Sequence, residues 1–374
     1  MEVVVKAVET KKELKTFILL PYIIHKNHSN WVPPIYIDEQ RFFNPKKNHS
    51  FSYCDTTLAI AWINGKAVGR IMGIIHRNYN RQHNENHARF CFIESWNDLE
   101  VFRALIDYVT KWAKKYGMVK LIGPLAFSDK DPQGFLIEGF NETISLAATC
   151  NFKYLVDLTE KEGFEKKCDL VVYSFNIPDT LPELHQRIYQ RFKRNNTHLK
   201  IIEFTKRKEL KRFIKPVFKL VNKTFADVHG FMPLTEIEMD EFASRYLCLI
   251  NPRFVKVVVN EKDEPVSFII GMSDLSKGFQ KSKGSLYPFG IFYIFRAYKK
   301  SRQLNLLLGA VDPKYQGKGL DAIMAIKMIE SAKSEEITAV DSHLQLENNT
   351  KVRAEMEKLG GKVSKRYRIY QKNL

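Results

Sequence analysis

Between an apolar run that ends at Val311 and an amphipathic run that begins at Leu320 lies Asp312-Pro313-Lys314-Tyr315-Gln316-Gly317-Lys318-Gly319. Glycines at 317 and 319 let the backbone come close to a ligand. A helix starting just behind them offers unpaired N–H groups and the positive end of its dipole. A strand, a glycine loop and a helix in that order make a cradle for phosphate. Asp321 falls in the first turn of that helix, where a carboxylate suits the isolated helix but repels an anion held at the same place. Lys314 and Lys318 carry the opposing charge.

A second group, Glu347-Asn348-Asn349, closes a β-rich run and is followed by Val352 and by Met356-Glu357-Lys358-Leu359-Gly360. A carboxylate at a strand end can act as general base for an amine, because an ammonium must lose a proton before it attacks. The same Glu347 can equally cap the helix that follows. His25, His28, His76, His83, His87 and His343 show no H-E-x-x-H or comparable spacing, so no metal site is expected. A Gly-x-Ser-x-Gly elbow is also missing. Cys54, Cys91, Cys150, Cys168 and Cys248 never form a C-x-x-C pair and read as buried or free thiols.

The elements that must position these residues follow from periodicity. Leu58–Ile63 and Ala67–Ile75 read as strands joined by the hairpin signal Asn64-Gly65, and Arg89–Glu94 as a third strand after a polar His/Asn-rich loop. A helix capped by Asn97 or Asp98 follows, with Val101, Phe102, Leu105, Ile106, Val109, Trp112 and Tyr116 on one face and Gly117 as its stop. Val119–Ile122 is the next strand. The second half repeats the order. Glu209–Phe225 and Glu236–Leu247 read as helices, Phe254–Val259 and Val266–Met272 as a hairpin, Leu304–Val311 as a strand and Leu320–Ala332 as a helix. Ile337–Leu346, Asn349–Leu359 and Lys365–Tyr370 then read as strand, helix and strand.

This order, with Gln316 and Gly319 in the loop, resembles the Q/R-x-x-G-x-G/A pyrophosphate loop and core of the GCN5-related N-acetyltransferase (GNAT) superfamily; Asp321 stands where that pattern has its last Gly or Ala. Further pieces are Trp31-Val32-Pro33-Pro34, Gly69-Arg70, the Asn80–Glu85 loop, Gly123-Pro124, Gly134 to Phe140, Gly163-Phe164 and Lys365 to Tyr370. Together they resemble the double-GNAT bacterial N-acyltransferases that occur with sphingolipid synthesis and include bacterial ceramide synthases.

The resemblance implies an α/β (α+β) class with two tandem GNAT-like domains, each a mixed, mostly antiparallel sheet flanked by helices. They are expected at 1–180 and 181–374, with a joint near Pro178–Pro182. The first has only Ser95-Trp96-Asn97-Asp98 where a pyrophosphate loop belongs, which suits a domain that completes a groove or holds the acceptor. In the second, Ala310, Val311, Gln316, Gly317, Lys318, Gly319, Leu320 and Asp321 are the implied contacts to acyl-CoA or acetyl-CoA, a co-substrate and not a tightly bound cofactor; an acyl-carrier protein is the other donor. Glu347 and Asn349 would flank the thioester. Many GNAT enzymes have a Tyr general acid where this chain has Met356, so the leaving thiolate would take its proton from Tyr367, Tyr370 or water. The implied reaction moves an acyl group to an amine, with a long-chain sphingoid base as the acceptor. The competing reading, drawn from Asp321 and Met356, is a catalytically degenerate GNAT-fold protein that binds an acyl ligand or partner.

Composition bounds these readings. A chain of 374 residues with 44% hydrophobic and 27% charged residues is an ordinary folded protein of two-domain size. Met1–Lys12 has no apolar signal region, and no apolar run is long enough to span a membrane. A cytoplasmic protein is therefore expected, with peripheral contact at the inner membrane face. The formal charge of +17 attracts phosphate in CoA, anionic lipid or nucleic acid alike. Nucleic acid is disfavoured by the lack of any RNP, helix-turn-helix or zinc-finger framework, despite Phe192-Lys193-Arg194-Asn195-Asn196. Leu286–Arg302 combines Tyr287, Phe289, Ile291, Phe292, Tyr293, Ile294, Phe295 and Tyr298 with Arg296, Lys299, Lys300 and Arg302. It reads either as a segment lying on anionic lipid or lining an acyl-chain entrance, or as a buried strand with a basic turn.

Overall fold

Asn64 and Gly65 both have positive φ, 49° and 73°, the conformation that a two-residue hairpin turn of type I′ demands. They join β2 (Cys54–Ile63) to β3 (Lys66–His76). The computed structural model describes residues 2–145, 148–180, 183–196, 198–226 and 230–374. The chain divides into two units. One comprises Met1–Val171, Leu275–Ala297 and Ser364–Leu374, and the other Val172–Asp274 and Tyr298–Val363. Strands and helices are numbered along the chain.

In the first unit the strand order is β1 (Val4–Ala7), β2, β3, β4 (His87–Ser95), β5 (Lys120–Gly123) and β14 (Lys362–Asn373). β6 (Phe135–Glu138) also pairs with β14, and β7 (Glu165–Asn176), which runs across the unit boundary, neighbours it. β4 and β5 run parallel, so a crossover must join them. That crossover is α4 (Leu99–Lys115), with Val101, Phe102, Leu105, Ile106 and Val109 buried. Gly69 and Gly73 of β3 let α4 sit close: a Cβ on Gly69 would lie 2.8 Å from Leu105 Cδ1, and one on Gly73 3.0 Å from Val109 Cγ1. The unit also holds α1 (Lys11–Ile24), α2 (Tyr36–Phe42), α3 (Arg77–His83), α5 (Lys153–Lys161) and α10 (Ser276–Ser282). α11 (Gly290–Lys300) begins in it.

The second unit repeats the scheme. Its strands run β8 (Lys200–Glu203), β9 (Val255–Val259), β10 (Pro265–Ser273), β11 (Gln303–Val311), β12 (Ala339–Asp341), then the end of β7, on which β13 (Gln345–Leu346) also pairs. Here β11 and β12 are the parallel pair, and α12 (Leu320–Ser334) is their crossover. Leu320, Ile323 and Met324 of α12 pack with Phe192 of α6 (Glu183–Asn195) and with Val258 and Val266. Another core joins Val257 and Phe268 to α7 (Arg207–Leu210), α8 (Ile214–Thr224) and α9 (Glu236–Tyr246). α13 (Thr350–Lys358) completes the unit.

Several sequence expectations change. The run Glu209–Phe225 is broken by a 3-10 turn at Lys211–Phe213, because Pro216 is accommodated only in the first turn of a helix, so α8 starts at Ile214. The expected strand 337–346 is split at Ser342, whose Oγ accepts from the Tyr173 N–H at 2.9 Å in place of a ladder carbonyl. The polar loop at 80–85 contains the end of α3. Of the two candidate caps for α4, Asp98 is the one used. Leu181 and Pro182, in the expected joint, lie outside the described residues.

Candidate acyl-donor site

β11 pairs with β10 along its length, from Ser267 opposite Val311 to Ser273 opposite Leu304. On its other side it pairs with β12 only at Gln303, Leu304 and Asn305. The two parallel strands then part, and Leu306–Val311 presents an edge of N–H and C=O groups that β12 does not pair. A bulge at Ile270/Gly271 bends this part of the sheet.

The glycine loop follows directly. Asp312 caps a short turn at Pro313–Tyr315 by accepting from the Lys314 N–H at 3.0 Å, and it is paired with Lys223 Nζ at 2.5 Å. Burial works against the Asp312 charge, but Lys223 and the Lys314 N–H together outweigh it and keep the carboxyl below its usual range. Gly317 and Gly319 have φ of 75° and 79°, values that side chains other than glycine adopt at a cost. Gly319 is the N-cap of α12, so no side chain caps the helix there. The first-turn N–H groups of α12 other than that of Ala322 are left to an anion.

Gly317, Gly319, Asp321, Ala322, Ile188, Glu355 and Lys358 line a cavity of about 180 Å³. That volume suits a phosphate group; a whole drug-sized ligand fills about 300–1,000 Å³. Lys318 Nζ lies 4.7 Å from the Tyr315 ring centre, and Lys358 is paired with Glu355 at 2.7 Å. The Asp321 carboxylate accepts from the Ala322 N–H at 3.0 Å. It thus occupies one of the donors an anion would use.

The structure brings Ala310, Val311, Gln316, Gly317, Lys318, Gly319, Leu320 and Asp321 together in the second unit, on the open strand end, the loop and the first turn of α12. Glu347 and Asn349 belong to the same unit. Asn349 caps α13, accepting from the Val352 N–H at 3.4 Å, so the capping role is its own and not that of Glu347. The backbone carbonyl of Glu347 accepts from Arg353 Nη1 at 2.8 Å. Tyr367 is fully buried in the first unit, on β14 opposite Leu136.

The corresponding place in the first unit is built differently. Asp98 accepts from the N–H groups of Glu100 and Val101 at 2.9 and 3.3 Å, which fills the start of α4. Beyond the β4–β5 pairing, the Leu125 N–H donates to the Phe90 carbonyl at 2.9 Å. Arg89 Nη1 donates to the carbonyls of Ala126 and Phe127 at 3.0 Å. The parting of β4 and β5 is therefore occupied by the chain itself.

Sequence reasoning treated Leu286–Arg302 as interfacial or as a buried strand; it folds mostly as α11, a helix. Tyr287, Phe289, Phe292 and Phe295 are 83%, 70%, 63% and 54% exposed. α10 holds the helix tightly, since a Cβ on Gly278 would lie 2.9 Å from Ile294 Cα. Among the described residues no helix is long and apolar enough to cross a membrane.

Two units, each with hairpin, strand, crossover helix and parallel strand, define a tandem GNAT fold. No family model matches the sequence. A tandem GNAT protein of clavulanic acid biosynthesis superposes with a TM-score of 0.57 at 11% identity, covering 100% of this chain and 98% of that one. A GCN5-related N-acetyltransferase from Sphaerobacter thermophilus gives a TM-score of 0.51 at 11% identity, over 99% and 95% of the two chains. By sequence the chain is similar to the bacterial ceramide synthase of Caulobacter vibrioides, 25% identical over 98% of this chain and 96% of that protein. It is similar to the same degree, 25% over 97% and 94%, to Protein YghO of Escherichia coli K12.

Proposed function

We propose that this chain is an N-acyltransferase that holds an acyl thioester at the glycine loop of the second unit and passes the acyl group to an amine. The observation that carries the reading is the uncapped start of α12 beside the open edge of β11. A pyrophosphate fits the first, and an extended arm bearing amides fits the second. The similarity to a protein named for ceramide synthesis favours a long-chain amine as acceptor and a fatty acyl-CoA or acyl-carrier protein as donor. Glu347 is the second unit's candidate to take the proton that the amine nitrogen sheds as the C–N bond forms. The leaving thiolate needs a proton that Met356 cannot give and that water can; Tyr367 and Tyr370, the sources expected from the sequence, belong to the first unit.

Gly319→Glu tests the site. At φ 79° any side chain is strained, its Cβ would lie 2.8 Å from Ile188 Cγ2, and its charge would face the phosphates. Calorimetry with palmitoyl-CoA should show binding to the native protein and at least about a hundredfold weaker binding to the variant. Equal affinities in two folded proteins would move the donor site elsewhere. A second reading, a protein that binds acyl ligands without turnover, is favoured by the two carboxylates, Asp321 and Glu355, that line the cavity. Tight palmitoyl-CoA binding without CoA release, whatever amine is supplied, would select it.

A further inference from the structure

The cavity at the glycine loop selects among donors by size and by charge. Its wall carries the carboxylates of Asp321 and Glu355 and the ammonium of Lys358. Lys358 lies 2.7 Å from Glu355, and that contact, with the charge of Asp321, holds the ammonium above its ordinary range. The wall therefore keeps more negative than positive charge, and every charge on a bound phosphate meets it. A phosphodiester brings one negative charge to such a place, and a pyrophosphate brings two. A volume of about 180 Å³ also suits a single phosphate. Both properties favour the diester.

The lip of the cavity is α6, which belongs to the same unit as the loop, α12 and α13. Its Ile188 is part of the lining, and a Cβ on Gly319 would lie 2.8 Å from Ile188 Cγ2. Arg187, Arg191, Lys193 and Arg194 of α6 are all exposed, against a single acid, Glu183. Arg187, Arg191 and Arg194 follow one another at helical spacing, so they share one face over about 10 Å. The Arg187 contact to Glu183 at 3.1 Å joins two exposed side chains and holds the arginine weakly. Lys314 and Lys318, also exposed, add positive charge on the glycine loop itself. A row of cations that long exceeds the reach of one phosphate and matches a row of carboxylates on a protein surface.

We propose that the acyl donor is an acyl-carrier protein, whose phosphopantetheine diester enters the cavity while its acidic face rests on the Arg187, Arg191 and Arg194 stripe of α6. This rests on the N-acyl-transfer reading and names its donor. Free CoA presents a pyrophosphate to the same carboxylates and has no protein surface to lay along α6. In the transfer, the amine nitrogen forms a C–N bond to the acyl carbon as the C–S bond breaks. The nitrogen sheds one proton, the departing thiolate takes one, and the carrier leaves with a free thiol.

A palmitoylated acidic acyl-carrier protein and palmitoyl-CoA, each with dodecylamine as acceptor, separate the two donors. At low ionic strength kcat/KM of the native protein should be at least tenfold or so higher for the carrier, an advantage that shrinks as salt rises. The triple variant Arg187→Ala, Arg191→Ala, Arg194→Ala alters exposed side chains only. In it the KM for the carrier should rise about thirtyfold with kcat unchanged, while the KM for palmitoyl-CoA stays within about threefold. Equal or better use of palmitoyl-CoA by the native protein overturns the proposal. So does a variant that keeps the native KM for the carrier, or one that loses both donors alike, which would give the stripe to the 3′-phosphate end of CoA. If neither donor yields an amide with any amine, the acyl-transfer reading fails by itself, and calorimetry with the palmitoylated carrier still decides the docking. Binding that the native protein shows and the triple variant loses upholds it; no binding, or equal binding, sinks it.

Discussion

At Asp321 the needs of the helix and of the ligand oppose each other. Its carboxylate sits in the first turn of α12, where it favours the helix and accepts the Ala322 N–H, and it shares the cavity wall with Glu355. Asp321→Ala should free that donor and remove a like charge, tightening palmitoyl-CoA binding about tenfold at low ionic strength, a gain of about 1.4 kcal/mol. The gain should shrink as salt screens an exposed group. Calorimetry at two salt concentrations measures both effects, and weaker binding would assign Asp321 a positive role, such as orienting Lys318. The conflict was visible in the sequence because it depends only on neighbours along one helix. The pairing of His25 with Glu94 was not, since the fold brings it together across a separation of 69 residues that no local spacing reports.

Elements whose pattern and packing agree were legible: the hairpin at Asn64-Gly65, the buried face of α4, and the strand–loop–helix at Val311 to Leu320. Those decided by a neighbour were not. The aromatic run 287–295 has the composition of a strand, yet it lies mostly in α11, which α10 accepts because Gly278 lets the two backbones approach. The segment 275–302 carries seven Lys and Arg and no Asp or Glu, so its exposed rings have a basic surround suited to anionic lipid. Vesicles rich in anionic lipid should carry the protein upward in flotation at low ionic strength and release it as salt rises. Phe292→Asp with Phe295→Asp should abolish flotation and leave palmitoyl-CoA affinity unchanged, because neither ring belongs to the glycine loop. Flotation that is indifferent to both salt and substitution would exclude α11 as the contact.

On the scale of the whole chain, the sheet of the first unit is completed by residues from the far end of the sequence. Tyr367, Ile369 and Tyr370 of β14 are buried there, and Arg368 makes paired contacts to Asp169 at 2.8 and 3.0 Å. Burying three large side chains contributes on the order of 5–9 kcal/mol, comparable with the net stability of a domain. Removing Ser364–Leu374 should therefore abolish hydrogen-exchange protection in β2 to β5 while β9 to β11 keep theirs. Protection retained in β2 to β5 would show that β14 is dispensable. The same feature bears on how the protein is made. At about 5–20 residues per second, a ribosome that has finished Val171 needs about 10–40 s more to deliver Ser364. For that interval the first unit waits with the edge of β5 unpaired, a template for wrong pairing with other nascent chains. Holding factors at the ribosome, and the pace of translation between those two points, should govern the yield of folded protein.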